Sequence, residues 1–359
     1  MRGNGVENMK SRCIGAALLF ILILLLSACG QPEGAAPPTA GGEGAPGGLT
    51  VYFLDVGQAD SALVVCDGAA MLIDGGNAAD SSLVYAFLKE RDVTHLDVIV
   101  ATHRHEDHVG GLSGALNFAT VGVAYCPVAE YDSKAFSSFV RYLGEQGKAI
   151  TAPRPGDVFA LGGAGVEIVA PVREYDNPNN ASIVLKLTYG EVSFLFTGDC
   201  ERESEADILD AGFDVSATVL KVAHHGSDTS TSYPFLREVM PEFAVISVGA
   251  NNQYAHPSDD TLSRLRDAGV VLFRTDLQGT ITAASDGKAI VFEVERNAGA
   301  ITNPTQTADS FEYYIGNVNT RKLHSPACNS LPDEKNRAYF DTVDEALADG
   351  YEAHSVCLR

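Results

Sequence analysis

Three histidines and an aspartate stand close together in residues 103–108. They follow a short apolar run, residues 96–101, whose β-branched side chains predict a buried strand. Open α/β sheets bind their ligands just past the carboxyl ends of such strands. Imidazole nitrogens and carboxylate oxygens suit Zn²⁺ or another borderline divalent metal. The candidate donors are His103, His105, Asp107 and His108.

The alternative is a polar surface loop that merely contains histidines. Only nine histidines occur in 359 residues, so three of them at this spacing favour a metal site. Further polar residues follow other apolar runs, and all histidines except those at positions 95, 324 and 354 stand in such places. These further candidates are Asp199, His224, His225 and His256. The pattern predicts one site that collects them.

Strands and helices alternate along residues 49–296, which predicts a layered α/β domain. Strands are predicted at residues 49–54, 61–65, 70–73, 96–101, 121–125, 166–170, 183–187, 192–196, 219–223 and 243–248. Helices are predicted at residues 82–91 and 133–146, and a third begins within residues 109–112.

The motif His103-x-His105-x-Asp107-His108 resembles the signature of the metallo-β-lactamase fold superfamily. Residues 49–296 also resemble the hydrolase domain of the ComEC family of DNA-internalisation competence proteins. The segments that carry this resemblance are residues 53–58, 103–108, 180–182, 196–199, 220–227 and 256–258. It implies an αββα sandwich and a divalent metal. No counterpart of that family's channel helices is visible, so DNA transport is not expected.

The resemblance also implies roles for individual residues. His103 and His105 would hold one metal, Asp107 and His108 the other, Asp199 would bridge, and His256 would complete the second site. A metal pair of this kind activates hydroxide for displacement at phosphorus. His224 or His225 would donate a proton to the leaving group or touch a phosphate oxygen, and one of them as a ligand is the other interpretation.

Asp55 and Asp74 end predicted strands, where they are either turn formers or carboxylates that orient metal ligands. The superfamily's usual third-motif histidine has no counterpart, because Asn180 or Ser182 stands in its place, and we expect both residues to contact the metal ligands. We therefore expect a first metal position that is poorer in ligands, and one or two ions of Zn²⁺ or of a harder metal such as Mn²⁺.

The first 48 residues lie outside this domain. Residues 1–29 predict a lipoprotein signal peptide, because basic residues precede the short apolar run 14–26 and Cys29 ends a stretch that looks like a lipoprotein cleavage box. An uncleaved anchor helix is the alternative. Residues 30–48, rich in Gly, Pro and Ala, predict a flexible linker. Both interpretations predict an extracytoplasmic protein tethered to the cell membrane.

Residues 297–311 predict a second linker, and residues 312–359 a small metal-binding module. Its pairs His324-x-x-x-Cys328 and His354-x-x-Cys357 flank a helix predicted at residues 342–349 and fit a structural zinc site. A disulfide between Cys328 and Cys357 is the rival interpretation. The module resembles the metal-binding domain of Ada DNA-repair proteins, with histidines at two cysteine positions.

The overall charge bears on the partners. A net charge of −22 argues against a surface that tracks the phosphates of long nucleic acids. The sequence predicts an exported, metal-dependent hydrolase, foremost a phosphodiesterase or nuclease that acts on DNA or another phosphodiester. A hydrolase of a cell-wall phosphodiester or other ester, and a non-catalytic DNA-binding lipoprotein, are the alternatives. No protein partner is predicted.

Overall fold

The computed structural model describes residues 48–304, 313–326, 328, 330–340 and 343–354. The predictions for the signal peptide, the first linker and Cys357 lie outside the described residues, apart from Gly48. Within them, no helix is long and apolar enough to cross a membrane.

The first sheet has eight strands in the order β15-β14-β1-β2-β3-β4-β5-β6. Its strands are β1 (Leu49–Phe53), β2 (Ala62–Cys66), β3 (Ala69–Ile73), β4 (His95–Val100), β5 (Thr120–Tyr125), β6 (Ile150–Thr151), β14 (Ile281–Ser285) and β15 (Ile290–Val294). Strands β3 to β6 run parallel, whereas β1 pairs antiparallel with both β2 and β14.

The second sheet has seven strands in the order β13-β12-β11-β10-β9-β8-β7. Its strands are β7 (Val158–Leu161), β8 (Ala164–Ala170), β9 (Val184–Tyr189), β10 (Val192–Phe196), β11 (Val219–Lys221), β12 (Phe243–Ile246) and β13 (Val271–Arg274). Strands β10 to β13 are parallel, so their carboxyl ends share one edge of the sheet.

Buried side chains fall into three layers that make the domain an αββα sandwich. One apolar cluster, which includes Phe53 and Phe194, fills the space between the two sheets. A second cluster lies between the first sheet and its helices, and a third lies between the second sheet and its helices. The helices are α1 (Ser81–Glu90), α2 (Glu106–Val109), α3 (Leu112–Phe118), α4 (Lys134–Glu145), α5 (Arg202–Asp210), α6 (Tyr233–Val239), α7 (Asp259–Asp267) and α8 (Thr275–Gln278).

Short polar signals set several helix boundaries. Ser133, Ser232 and Ser258 each accept a hydrogen bond from a backbone N–H in the first turn of α4, α6 and α7, respectively. The helices predicted at residues 82–91 and 133–146 are α1 and α4, each within one residue of its predicted ends.

The chain after residue 312 forms a separate four-stranded sheet in the order β18-β16-β17-β19. Its strands are β16 (Tyr314–Asn317), β17 (Lys322–His324), β18 (Arg337–Phe340) and β19 (Glu352–Ala353), with helix α9 (Val343–Ala348) between the last two. Its small core contains Tyr314, Leu323, Phe340, Ala346 and Tyr351.

Candidate metal centre

The candidate site lies where parallel strands of both sheets end. The loop after β4 brings His103 to His108, the turn after β10 brings Asp199, and the segment after β11 brings His224 and His225. Because these carboxyl ends face the same side of the sandwich, residues more than 100 positions apart come together.

Four side chains form the central group, whose donor atoms all lie within 4.8 Å of one another: Asp107, His108, Asp199 and His225. His108 Nε2 lies 3.3 Å from Asp199 Oδ2, and His225 Nε2 lies 3.3 Å from Asp107 Oδ2. All except Asp107 are buried. Two imidazoles and two carboxylates at this spacing match the donor set of a divalent metal.

His103 and His105 form a second, smaller group beside it. His103 Nε2 lies 2.9 Å from His105 Nδ1 and 3.8 Å from Asp199 Oδ2. Burial lowers the pKa of both imidazoles, so both are neutral near pH 7. Because Asp199 Oδ2 lies near both His103 and His108, Asp199 is shared between the two groups.

Asp74 fixes the orientation of His108. One carboxylate oxygen, Oδ2, lies 2.8 Å from His108 Nδ1, and the carboxylate also accepts hydrogen bonds from the backbone N–H and the hydroxyl of Thr102. A proton on Nδ1 leaves Nε2 of the neutral ring facing the central group, as metal-binding histidines require. Ser182 similarly places its hydroxyl 3.4 Å from His103 Nδ1 and accepts a hydrogen bond from the Asp199 N–H.

Backbone conformation separates the roles of His224 and His225. Both have positive φ, 51° and 54°, a left-handed conformation that turns consecutive side chains in different directions. His225 Nδ1 lies 3.0 Å from the Ser247 carbonyl and 3.2 Å from Asp60 Oδ1, so Nε2 points to the central group. Burial lowers the pKa of His225, but the charges of Asp199 and Asp60 outweigh it and raise the pKa to about 10.

His224 stays at the edge of the group. Its Nε2 lies 3.8 Å from Asp199 Oδ2, its Nδ1 lies 3.4 Å from Glu201 Oε1, and 23% of its side chain is exposed. The ring of His256 lies 5.7 Å from that of His224. Burial, followed by the charges of His224 and His225, lowers the pKa of His256 to about 4.

Unpaired buried atoms test whether a metal fits. In the part of the chain that the structure describes, His108 Nε2, Asp199 Oδ1 and His256 Nδ1 are buried without a hydrogen-bond partner. Leaving such atoms unpaired costs free energy, about 1–3 kcal/mol each. Two of the three belong to the central group, and a bound cation would satisfy them. The residues present therefore fit a divalent metal.

Two sequence predictions need correction, and the role of His256 as a metal ligand remains a prediction. His225 joins the central group, because the Ser247 carbonyl and Asp60 orient it. Asp55 does not contact a ligand histidine, since its carboxylate pairs with Arg296 at 2.7 Å. Asn180 points away from the ligand histidines. Its Oδ1 accepts a hydrogen bond from the backbone N–H of Glu201, and its Nδ2 donates one to the carboxylate of Glu203 in α5.

Sequence reasoning missed several residues of the site. A cleft of about 380 Å³ opens over the central group, and Gln58, Asn179 and Tyr254 line it with the histidines. Asp60 and Lys221 form a buried ion pair behind His225. The segment Asp55-Val56-Gly57-Gln58-Ala59-Asp60 contained a signal for Asp60, since it offered a second carboxylate at the same strand end.

The C-terminal module brings three candidate donors together. His324 Nδ1 lies 3.4 Å from Cys328 Sγ, which lies 3.7 Å from His354 Nδ1. No disulfide joins any two of the described cysteines, which are Cys66, Cys126, Cys200 and Cys328. The fourth predicted donor, Cys357, is outside the described residues, so neither the zinc site nor the disulfide is tested.

Residues 54–250 match the family model described as Metallo-beta-lactamase superfamily. The chain belongs to this superfamily. The αββα sandwich and the donors at its strand ends agree with that assignment, and the predicted fold class is confirmed. The superfamily match, together with the similarity to a metal-dependent hydrolase reported below, assigns the protein as a metal-dependent hydrolase, and the central group offers the donors for a divalent metal.

The chain is similar to three curated proteins over part of its length. It is 30% identical over 265 residues to ComE operon protein 3 of Bacillus subtilis, covering 68% of this chain and 34% of that protein. It is 32% identical over 236 residues to Competence protein ComA of Neisseria gonorrhoeae, covering 65% and 31%. A metal-dependent hydrolase of Cupriavidus taiwanensis is 30% identical over 152 residues, covering 38% and 52%. The chain thus spans about a third of the length of ComE operon protein 3 and of Competence protein ComA.

Proposed function

We propose that this hydrolase cleaves phosphodiesters, with DNA as the leading substrate. The observation that carries the proposal is the shared position of Asp199 between the central group and the pair His103 and His105. Two adjacent cation positions are the arrangement that phosphatases and nucleases use. The competence proteins among its relatives support a substrate of nucleic acid.

Each residue of the site has a role in this proposal. Asp107, His108, Asp199 and His225 would hold one metal, while His103 and His105 would hold another together with Asp199. When bound, the metal supplies Lewis-acid polarisation of the phosphoryl group and an activated water. His225 is engaged on both ring nitrogens, which leaves His224 to protonate the leaving oxygen from the edge of the cleft.

The test is hydrolysis by the purified full chain with added Mn²⁺. The substrates are single-stranded DNA, double-stranded DNA and p-nitrophenyl ethyl phosphate, with a teichoic-type glycerol phosphate polymer as the cell-wall alternative. We expect Asp107→Asn to lower kcat/KM at least about 100-fold, because loss of even an outer partner of a metal ligand costs about 10–100-fold. The matched control is His95→Ala, since His95 is exposed at the start of β4.

Each outcome separates the candidate functions. Cleavage of the glycerol phosphate polymer alone would favour the cell-wall phosphodiesterase. DNA binding without hydrolysis of any of these substrates would favour a non-catalytic DNA-binding protein. Equal activity of Asp107→Asn and the parent chain would contradict the site assignment.

We further propose that Cys29 is lipidated and tethers the hydrolase to the outer face of the cell membrane. The basic residues before the apolar run 14–26 and the position of Cys29 support this. The Cys29→Ala protein should leave the membrane fraction and lack the lipid mass. Unchanged fractionation and mass would remove the proposal.

For the C-terminal module we propose a structural Zn²⁺ held by His324, Cys328, His354 and Cys357. The close approach of Cys328 Sγ to both imidazoles supports it, and so does the small core of the module. Elemental analysis should show that Cys328→Ser loses one zinc per chain. A mass two hydrogens lower than that of the reduced chain, with no loss of zinc in the variant, would instead identify the disulfide.

A further inference from the structure

Tyr254 lies at the edge of the metal cleft and is exposed to solvent. The residue is 59% exposed and lines the same cleft as Asp107 and His225. The ring stacks on His256, with centroids 5.7 Å apart and planes 28° apart. An aromatic ring left open to water beside a reaction centre has a face available to a planar ligand.

A continuous row of rings connects Tyr254 to the central group. The His256 ring lies 5.7 Å from that of His224, which lies 6.3 Å from that of His225. His224 Nε2 in turn lies 3.8 Å from Asp199 Oδ2. Tyr254 therefore lies in the same cleft as the central group, two histidine rings away from Asp199.

The loop that carries Tyr254 is built to hold it there. The Asn252 amide donates to the carbonyls of Gly249 and His256 and accepts from the N–H groups of Tyr254 and His256. Gly249 N–H donates to Gln58 Oε1 at 3.0 Å, which ties the loop to the turn after β1. A ring fixed in this way loses little conformational entropy when a ligand stacks on it.

We propose that Tyr254 is a stacking platform for an unpaired nucleobase next to the scissile phosphate. The substrate would then be single-stranded nucleic acid, or a nucleoside phosphodiester, because bases in a duplex keep their faces covered by their neighbours. The net charge of −22 argues against a positive surface that tracks phosphates. Stacking supplies affinity that does not depend on charge.

This inference rests on the proposed phosphodiesterase activity, and the test separates the two. The purified full chain hydrolyses two substrates that share one leaving group, thymidine 5′-(p-nitrophenyl phosphate) and ethyl p-nitrophenyl phosphate, with Mn²⁺ present. We expect Tyr254→Ala to lower kcat/KM for the thymidine ester about tenfold more than for the ethyl ester. Tyr254→Phe should keep the preference, since stacking needs the ring and not the hydroxyl.

The matched control is Tyr339→Ala, because Tyr339 is also 59% exposed but belongs to the C-terminal sheet. Fluorescence anisotropy with labelled dT10 and an abasic strand of equal length gives a readout that needs no turnover. Tyr254→Ala should weaken binding of dT10 about tenfold relative to the abasic strand.

Equal losses on both esters and both strands would overturn the platform while leaving the phosphodiesterase intact. Absence of hydrolysis together with a Tyr254-dependent preference for dT10 would contradict the phosphodiesterase activity and support the stacking platform. Loss of the preference in Tyr254→Phe would also overturn stacking, because it would assign the effect to the hydroxyl.

Discussion

Lys221 Nζ lies 2.7 Å from Asp60 Oδ2, and both side chains are buried directly behind His225. Lys221 ends β11, whereas Asp60 lies between β1 and β2 in the other sheet, so the pair joins the two halves of the sandwich. Burial raises the pKa of Asp60, but the charges of Lys221 and His225 outweigh it and hold the pKa below its ordinary value. The carboxylate is therefore ionised and able to orient His225.

Replacing Lys221 with methionine should destabilise the protein strongly. The Lys221→Met variant keeps the apolar bulk but removes the ammonium group from Oδ2 of the buried Asp60 carboxylate, whose other oxygen faces His225. Breaking a buried ion pair in this way costs about 3–5 kcal/mol. Urea denaturation in the presence of a chelator measures the free energy of unfolding without a contribution from bound metal.

Lys186→Met is the matched control on the same sheet. Lys186 pairs with Asp214 at 2.8 Å, but the Asp214 side chain is 72% exposed, so the loss should stay within about 1 kcal/mol. The double variant Asp60→Asn/Lys221→Met should recover part of the stability. Equal losses for Lys221→Met and Lys186→Met would show that the buried pair has no special role.

The two donor groups should bind metal with different strength. The central group offers four side chains, whereas His103 and His105 have only Asp199 to share, and the hydroxyl of Ser182 is bonded to the Asp199 N–H. After dialysis we expect about one tightly held metal ion per hydrolase domain, with activity rising as Mn²⁺ is added, since Mn²⁺ retains water ligands readily. Elemental analysis and an activity titration measure both.

Cys328→Ser provides the background for that measurement, because it removes the metal proposed for the C-terminal module. Two tightly bound zinc ions in this variant, with no response of activity to Mn²⁺, would contradict the prediction and restore an ordinary dinuclear zinc site.

The sequence predicted those parts of the site that have local signals. Apolar runs ending in His or Asp placed His108, Asp199 and His225 at strand ends, because the strand pattern and the polar residue stand side by side in the chain. No local signal in the sequence indicated whether His225 or His256 joins the central group. That outcome depends on the left-handed backbone at His225 and on the Ser247 carbonyl, which are set by packing.

The sequence did not predict contacts between distant parts of the chain. Asp60 and Lys221 are 161 residues apart, and nothing in either local sequence indicates the other. The same holds for β14 and β15, which no pattern predicted, although β14 pairs with β1 at the start of the domain. Asp55 was assigned a role beside the ligands because it ends a strand as Asp60 nearly does, and only the structure distinguishes the two.

Two glycine substitutions should have opposite effects on stability. A Cβ on Gly111 would overlap the carbonyl oxygen of Gly75, and Gly75 N–H donates to the His108 carbonyl. Gly111→Ala should therefore cost about 3 kcal/mol, at the upper end for overpacking, and should weaken metal binding. Gly144→Ala in α4 meets open space and should gain about 0.5 kcal/mol from helix propensity.

Thermal unfolding of both variants measures this difference, and metal titration checks its link to the site. A Gly111→Ala protein as stable as the parent would show that the turn around Gly75 can move freely. That result would contradict the tight packing of α3 on the loop that orients His108.

Metal binding should release protons, because the metal-free site holds them. In the metal-free protein the pKa of His225 is about 10, raised by Asp199 and Asp60 against the effect of burial, and that of His108 is raised well above its ordinary value. Asp107 also faces His225, at 3.3 Å. Both histidines are thus protonated at pH 7, whereas a metal needs the neutral imidazole.

The sign of the pH dependence follows from these directions. Protonated His225 stabilises the metal-free fold fully below its ordinary pKa of 6.5, and this contribution is lost as the pH rises through about 10. As the pH rises toward the pKa of His225, fewer molecules carry the proton that competes with the metal. The affinity for Mn²⁺ should therefore rise with pH between about 6 and 8. Calorimetric titrations at pH 7 in two buffers with different heats of protonation should give different apparent binding enthalpies. Equal enthalpies in the two buffers would mean that no proton leaves, and that His108 and His225 are already neutral in the metal-free protein.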